Sequence, residues 1–102
     1  MKNNKLVTEL QSEFLRAIRE CIDIGHYPVR FLNMLEDHGP VITAVHFVMT
    51  HQDPEGFESL NVSQRMDLTV EAIILQEPYR LLFVPEVLER AEYKLREVGY
   101  LA

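Results

Sequence analysis

The sequence has 102 residues, of which 47% are hydrophobic and 25% are charged, and this mixture is typical of one folded domain and excludes a disordered chain. Ten basic residues against sixteen acidic ones give a formal net charge of −6, which opposes long-range attraction to nucleic-acid phosphates. The polar start and the short apolar runs speak against a signal peptide and a membrane span. We therefore expect a cytoplasmic protein with a single domain over residues 1–102.

The first quarter of the chain has an apolar residue at every third or fourth position, which is the period of an amphipathic helix. This spacing predicts a helix over residues 6–24, ended by Gly25 as a left-handed cap. The single cysteine, Cys21, lies on the apolar stripe, so we expect a buried thiol and not a reactive one. Pro28 suits the first turn of a second helix, which is predicted to stop at Gly39.

The middle of the chain contains one uncharged segment and one ambiguous segment. Residues 41–49 have no charged side chain, so they predict a third helix that is buried on most sides. Residues 51–56 have the composition of a loop. The β-branched run at residues 68–75 suits a strand or a helix, and helix is favoured because no partner strand is present. Asp67, or Ser63 if the helix begins earlier, is its predicted cap.

The last quarter is punctuated by prolines. Pro78 and Pro85 bracket a short aromatic turn, and the apolar spacing that follows predicts a final helix ending at Gly99. The sequence as a whole predicts an all-α fold, a compact bundle of five to six short helices, with the helices from Pro40 and from Asp67 at its buried centre.

Candidate metal ligands and catalytic groups are sparse. His38, His46, His51 and Asp53 match no standard zinc spacing, so we expect no metal and no cofactor. The serines have no nucleophile-elbow context, and the sequence has no phosphate-binding or dinucleotide motif. We therefore expect no catalytic residues and no enzyme activity.

The segment from Arg65 to Glu71 places charges at the entrance to the most apolar helix. Partly buried charges need partners, so Arg65 is predicted to pair with Asp67, with Glu71 or with an acid from elsewhere in the fold, as a structural clamp. A small hydrolase or nuclease site at Asp67 and Glu71 is the weaker interpretation.

Two groups of aromatic and basic residues are candidates for a partner-binding surface, because Tyr and Arg beside apolar residues often anchor protein interfaces. The alternative is that these aromatic rings only close the ends of the bundle. We call the predicted surface the docking edge, and its residues are His26, Tyr27, Arg30, Tyr79, Arg80 and Phe83.

The chain resembles an uncharacterised family of small bacterial all-helical proteins over residues 25–100, which leaves the first helix, residues 1–24, outside the likeness. Its most distinctive string is Arg-x-Asp-Leu-Thr-Val-Glu at residues 65–71. The sequence departs from the pattern at Val84, where a capping Thr or Ser is expected. The other matching residues are Gly25, His26, Tyr27, Pro28, Phe31, Met34, Leu35, Gly39, Ala44, Gly56, Phe57, Leu60, Pro78, Leu82, Phe83, Glu86, Ala91 and Leu95.

The resemblance implies no catalytic residues. It implies a domain that occurs alone and also beside or fused to restriction-type and other defence genes. We therefore expect a non-catalytic accessory or protein-interaction module, associated with a defence or nucleic-acid-processing enzyme. A protein partner is expected, membrane binding is not, and a homodimer is an open alternative. A nucleic-acid-binding regulator is the second hypothesis, and the acidic balance counts against it.

Overall fold

The computed structural model describes the backbone of residues 2–50 and 54–102. All regular secondary structure within these two stretches is helical, which confirms the predicted all-α bundle of five to six short helices. The α-helices are α1 (Lys2–Asp23), α2 (Val29–His38), α3 (Pro40–Met49), α4 (Pro54–Val62), α5 (Val70–Ile74) and α6 (Pro85–Glu97), and short 3-10 helices cover Met66–Leu68 and Tyr79–Leu82.

Helix α1 is the longest element and packs one face into the core. Leu10 and Phe14 are fully buried there, and Cys21 is buried as a free thiol. The helix ends as predicted, because Gly25 has a φ of +87° and the next amide, of His26, donates to the carbonyl of Cys21 at 2.8 Å. It begins four residues earlier than predicted, since the polar sequence of the first turn gives no apolar period to detect.

Helices α2 and α3 are joined by Gly39 alone, which has a φ of +84°. Helix α3 is at least partly buried on most sides, as predicted, and one face of it is exposed. Ile42 is 58% exposed and Met49 is 43% exposed, while Ala44 and Val48 on the opposite face are buried. An uncharged sequence therefore does not ensure burial on every side, even though α3 contacts α1, α2, α5 and α6.

Helix α4 corrects part of the predicted loop. Residues 54–56 are helical, and residues 51–53 lie outside the described part of the chain. Pro54 opens the helix, where its missing N–H requires no partner, so the proline that suggested a loop is a helix start. Gly56, which also suggested a loop, is buried within α4.

Helix α5 resolves the ambiguous run as helix. Its cap is neither Asp67 nor Ser63: the hydroxyl of Thr69 accepts a hydrogen bond from the amide of Ala72 at 3.1 Å. The chain turns through the 3-10 helix at Met66–Leu68 first, so the α-helix starts later than expected and Thr69 is the residue that precedes it.

The core lies where α1, α3, α5 and α6 meet. Helix α6 contributes Ala91 and Leu95, both fully buried, and α5 contributes Ile73 and Ile74. Phenylalanine rings from α1, α2 and α3 pack edge to face near this centre, at centroid distances of 5.1 Å for the first pair and 5.2 Å for the second. None of the helices in the described residues has the length and apolar character needed to cross a membrane.

Candidate functional site

A cavity of about 450 Å³ lies between α1, α4, α5 and α6 and reaches the end of α3. Its wall is mostly apolar and aromatic, with a few polar side chains. This size falls within the range of small-molecule sites in proteins, roughly 300–1,000 Å³. The apolar part of the wall includes Phe14, Ala17, Ile18, Phe31, Phe47 and Phe57.

A buried ion pair, Glu71 with Lys94, is one polar element of the cavity wall. The other polar side chains that line it are His26, Thr50, Glu58, Asn61, Thr69, Tyr93 and Glu97. Lys94 Nζ donates to Glu71 Oε2 at 2.6 Å, and 17% of the lysine side chain and 5% of the glutamate side chain are exposed. Lys94 Nζ also donates to the carbonyl oxygen of Phe47 at 3.3 Å and lies 5.3 Å from the ring centroid of Phe57. One ammonium group therefore contacts residues from α3, α4 and α5.

The position of Lys94 follows from the helical period of α6. It lies three residues after the buried Ala91 and seven after the buried Val87, so it shares their inward side. Lys94 was not among the site residues predicted from the sequence, although its position within the apolar stripe of α6 was a usable signal. Glu71 gave a similar signal, because it interrupts an otherwise apolar run.

Cys21 also lines the cavity, as does His26. Burial raises the pKa of the Cys21 thiol, the negative charge of Asp67 adds to this, and the positive charge of Arg65 partly opposes it. A raised thiol pKa leaves little thiolate at neutral pH, so this cysteine is not activated as a nucleophile.

Arg65 forms the predicted clamp with Asp67, but Glu71 is not part of it. The guanidinium donates to Asp67 Oδ1 at 3.0 Å and to Glu20 Oε1 of α1 at 3.0 Å. The hydrogen bond from Arg65 holds the pKa of the Asp67 carboxyl below its ordinary value. Arg16 also pairs with Glu20, so the cluster ties the 3-10 helix at Met66–Leu68 to α1. Its members are partly exposed, which limits its contribution to stability.

The structure does not gather the docking edge into one surface. Tyr79 lies against the first half of α1, where burial and then the charges of Glu13 and Glu9 raise the pKa of its phenol. His26 instead follows the C-terminal end of α1 at Asp23. The stretch of α1 from Glu13 to Asp23 is about 15 Å long, so Tyr79 lies beside the first half of this helix and His26 lies beyond its C-terminal end.

The remaining residues of the docking edge differ in exposure. Tyr27 and Arg30 are exposed, whereas Phe83 is buried in the core. Arg80 is partly buried and donates to the carbonyl of Leu75 at 3.3 Å. Phe83 therefore packs inside the bundle, and Arg80 helps to hold the turn that follows α5.

The described residues contain no group of three or more His, Cys, Asp or Glu side chains placed to hold a metal ion. His38 is exposed and His46 is half-buried beside Phe47, at a ring-centroid distance of 5.9 Å. His51 and Asp53, the other two weighed from the sequence, lie outside the described residues.

Comparisons with protein-family models, with curated proteins and with solved structures give no match to this chain. The cavity and its ion pair are therefore interpreted from their own chemistry.

Proposed function

We propose that this chain is a non-catalytic binding module of the cytoplasm and that the cavity beside Lys94 and Glu71 is its binding site. The cavity carries the proposal, because its mostly apolar wall holds a few polar groups, which is the composition typical of small-molecule sites. A ligand of matching shape would bury apolar surface against this wall.

Binding without catalysis is supported by the state of the polar groups on the wall. Glu71 and Lys94 pair with each other at 2.6 Å, which occupies the groups that would serve as general base or acid. Cys21 has a raised thiol pKa, because it is buried. A nucleophile needs the opposite shift.

The test is a titration of the 15N-labelled protein with acetophenone, followed by amide chemical shifts. We expect saturable shifts confined to the cavity lining, and we expect them to disappear in Ala17→Leu, which places a larger side chain in the cavity. Ser12→Leu adds the same side chain on the exposed face of α1 and is the matched control. Equal shifts in both variants, or none in the wild type, would contradict the proposal.

A second candidate function is protein docking through the exposed face of α3, in line with the interaction module expected from the sequence. Ile42 and Met49 are seven residues apart on this face, and α3 has no charged residue on any side. We propose a second copy of the chain as the occupant. Two uncharged helices can meet although each chain has a net charge of −6. A partner from a defence or nucleic-acid-processing system rests on the sequence resemblance alone.

Sedimentation over a wide concentration range tests this second function. We expect a monomer–dimer equilibrium that Ile42→Glu abolishes, because the substitution places a charge in the centre of the contact. Val62→Glu, at an apolar residue of α4 that is also exposed, is the control and should leave the equilibrium unchanged. A monomer at every concentration would remove the α3 face from consideration.

A further inference from the structure

We propose that the cavity selects a compact, neutral, aromatic molecule with one hydrogen-bond acceptor, which Lys94 binds. This inference rests on the proposed function and adds the chemical class of the ligand. Three properties of the cavity wall support this ligand class. They are the geometry of its phenylalanine rings, the third N–H donor of the Lys94 ammonium group, and the charges of its ionisable side chains.

The rings favour an aromatic ligand. Phe14 and Phe31 meet at an interplanar angle of 87°, and Phe31 and Phe47 meet at 67°, so the wall presents both ring faces and ring edges. Phe57 lines the same cavity from α4. Aromatic pairs prefer edge-to-face and offset contacts, and a ligand ring would continue this series at the cavity wall. A flexible acyl chain would make fewer such contacts and would lose more conformational freedom on binding.

The ammonium group of Lys94 favours an acceptor on the ligand. An ammonium has three N–H donors. Among the described residues, two oxygens accept from Lys94 Nζ: Glu71 Oε2 and the carbonyl of Phe47. The neighbouring Phe57 ring is a weaker partner than an oxygen would be, at 5.3 Å from the nitrogen to the centroid. A carbonyl oxygen on the ligand would satisfy the third donor of the Lys94 ammonium group, which is mostly shielded from solvent.

The charge of the wall favours a neutral ligand. Glu71 already neutralises Lys94, and two further acids, Glu58 and Glu97, line the cavity. A carboxylate ligand would bring a negative charge towards three acids, of which Glu58 and Glu97 are exposed, and desolvating it would cost free energy while Lys94 is already paired with Glu71. His26 is the other basic side chain among the described residues that line the cavity. A cationic ligand would compete with Lys94 for Glu71 and would meet like charge at close range.

The decisive experiment compares three probes of similar size: ethylbenzene, acetophenone and benzoate. Amide shifts of the labelled wild-type protein give a Kd for each. We expect acetophenone to bind about tenfold more tightly than ethylbenzene, which corresponds to one net hydrogen bond, and benzoate to bind more weakly than either. The double variant Glu71→Leu/Lys94→Met should bind ethylbenzene and acetophenone equally, because it keeps an apolar wall and removes the donor.

The outcomes separate this inference from the proposed function. Binding of ethylbenzene and acetophenone with equal affinity to the wild type would overturn the role of Lys94 and leave the cavity as a binding site. Tightest binding of benzoate would overturn the charge argument. Absence of binding by all three would contradict the proposed function together with this inference. If the double variant does not fold, the wild-type series still decides each of these points.

Discussion

Lys94 Nζ and Glu71 Oε2 are 2.6 Å apart in a wall that is otherwise mostly apolar, and the two residues are not equally enclosed. The glutamate side chain is the more deeply buried of the two, whereas the lysine has a long, flexible stem that reaches the surface. We therefore expect that removing Lys94 and removing Glu71 lower the free energy of unfolding by different amounts.

Lys94→Met should lower the free energy of unfolding by about 3–5 kcal/mol, because it leaves a buried carboxylate without its cation. Glu71→Leu should cost less, since the remaining lysine can turn its ammonium group to water. The double variant should be more stable than Lys94→Met alone, because apolar residues replace the whole pair. Urea unfolding of the four proteins measures this. Simple addition of the two single effects would show that the pair is not coupled.

Two buried threonines differ in what their hydroxyl groups contact. The hydroxyl of Thr69 donates to the carbonyl of Met66 at 2.7 Å and caps α5. The hydroxyl of Thr43 is buried and has no hydrogen-bond partner among the described residues. Thr43→Val should therefore raise the free energy of unfolding by about 1 kcal/mol, and Thr69→Val should lower it by about 1–2 kcal/mol. Thermal unfolding of both variants checks that the two changes in stability have opposite signs. A loss of stability in both variants would contradict the conclusion that the Thr43 hydroxyl has no hydrogen-bond partner.

Val84 precedes α6 with cap-like backbone angles, a φ of −72° and a ψ of 156°, but its side chain cannot accept a hydrogen bond. Because Val84 is exposed, Val84→Ser should add a cap without opening a cavity, and we expect a gain of about 1 kcal/mol in unfolding free energy. Val62→Ser, also at an exposed valine but at the end of α4, should give no such gain. A chemical denaturation midpoint that moves equally in both variants would argue against the missing cap.

The hydrogen bond from Arg65 holds the pKa of Asp67 below its ordinary value of 3.8, so the ionised form is favoured in the folded protein. The resulting stability is present above that ordinary value and is lost as the pH falls through the lower, folded-state pKa. Asp67→Asn should therefore be less stable than the wild type near pH 7, and this difference should shrink in acid. Urea midpoints across the acid range measure it, with Asp37→Asn, at an exposed acid, as control. A difference that is constant with pH would exclude an ionic origin.

The parts of the fold that were predictable are those set by local backbone chemistry. Gly25 and Gly39 both have a positive φ and lie at helix ends, as their sequence context indicated. The start of α4 was missed because proline is common both in loops and in the first turn of a helix, so Pro54 does not distinguish the two. Only the packing of the surrounding chain distinguishes these two states.

The candidate site was harder to predict, because its members come from distant parts of the chain. Glu71 was assigned to the clamp, since Arg65 is its nearest basic residue in sequence, yet its partner is Lys94, 23 residues away. Partner choice among charged residues depends on how α5 and α6 pack, and the periodicity of each helix does not determine that packing. The docking edge stays a prediction: its two groups, residues 26–30 and 79–83, are far apart in sequence, and Phe83 is buried in the core.

The one-residue connection at Gly39 has a consequence for how the protein folds. Helices α2 and α3 contact each other and are joined with almost no intervening chain, so their association requires very little loop closure. Contacts that are local in sequence form early and make folding fast, on the microsecond to millisecond scale in helical proteins. We therefore expect α2 and α3 to form a nucleus on which the more distant α1 and α6 assemble.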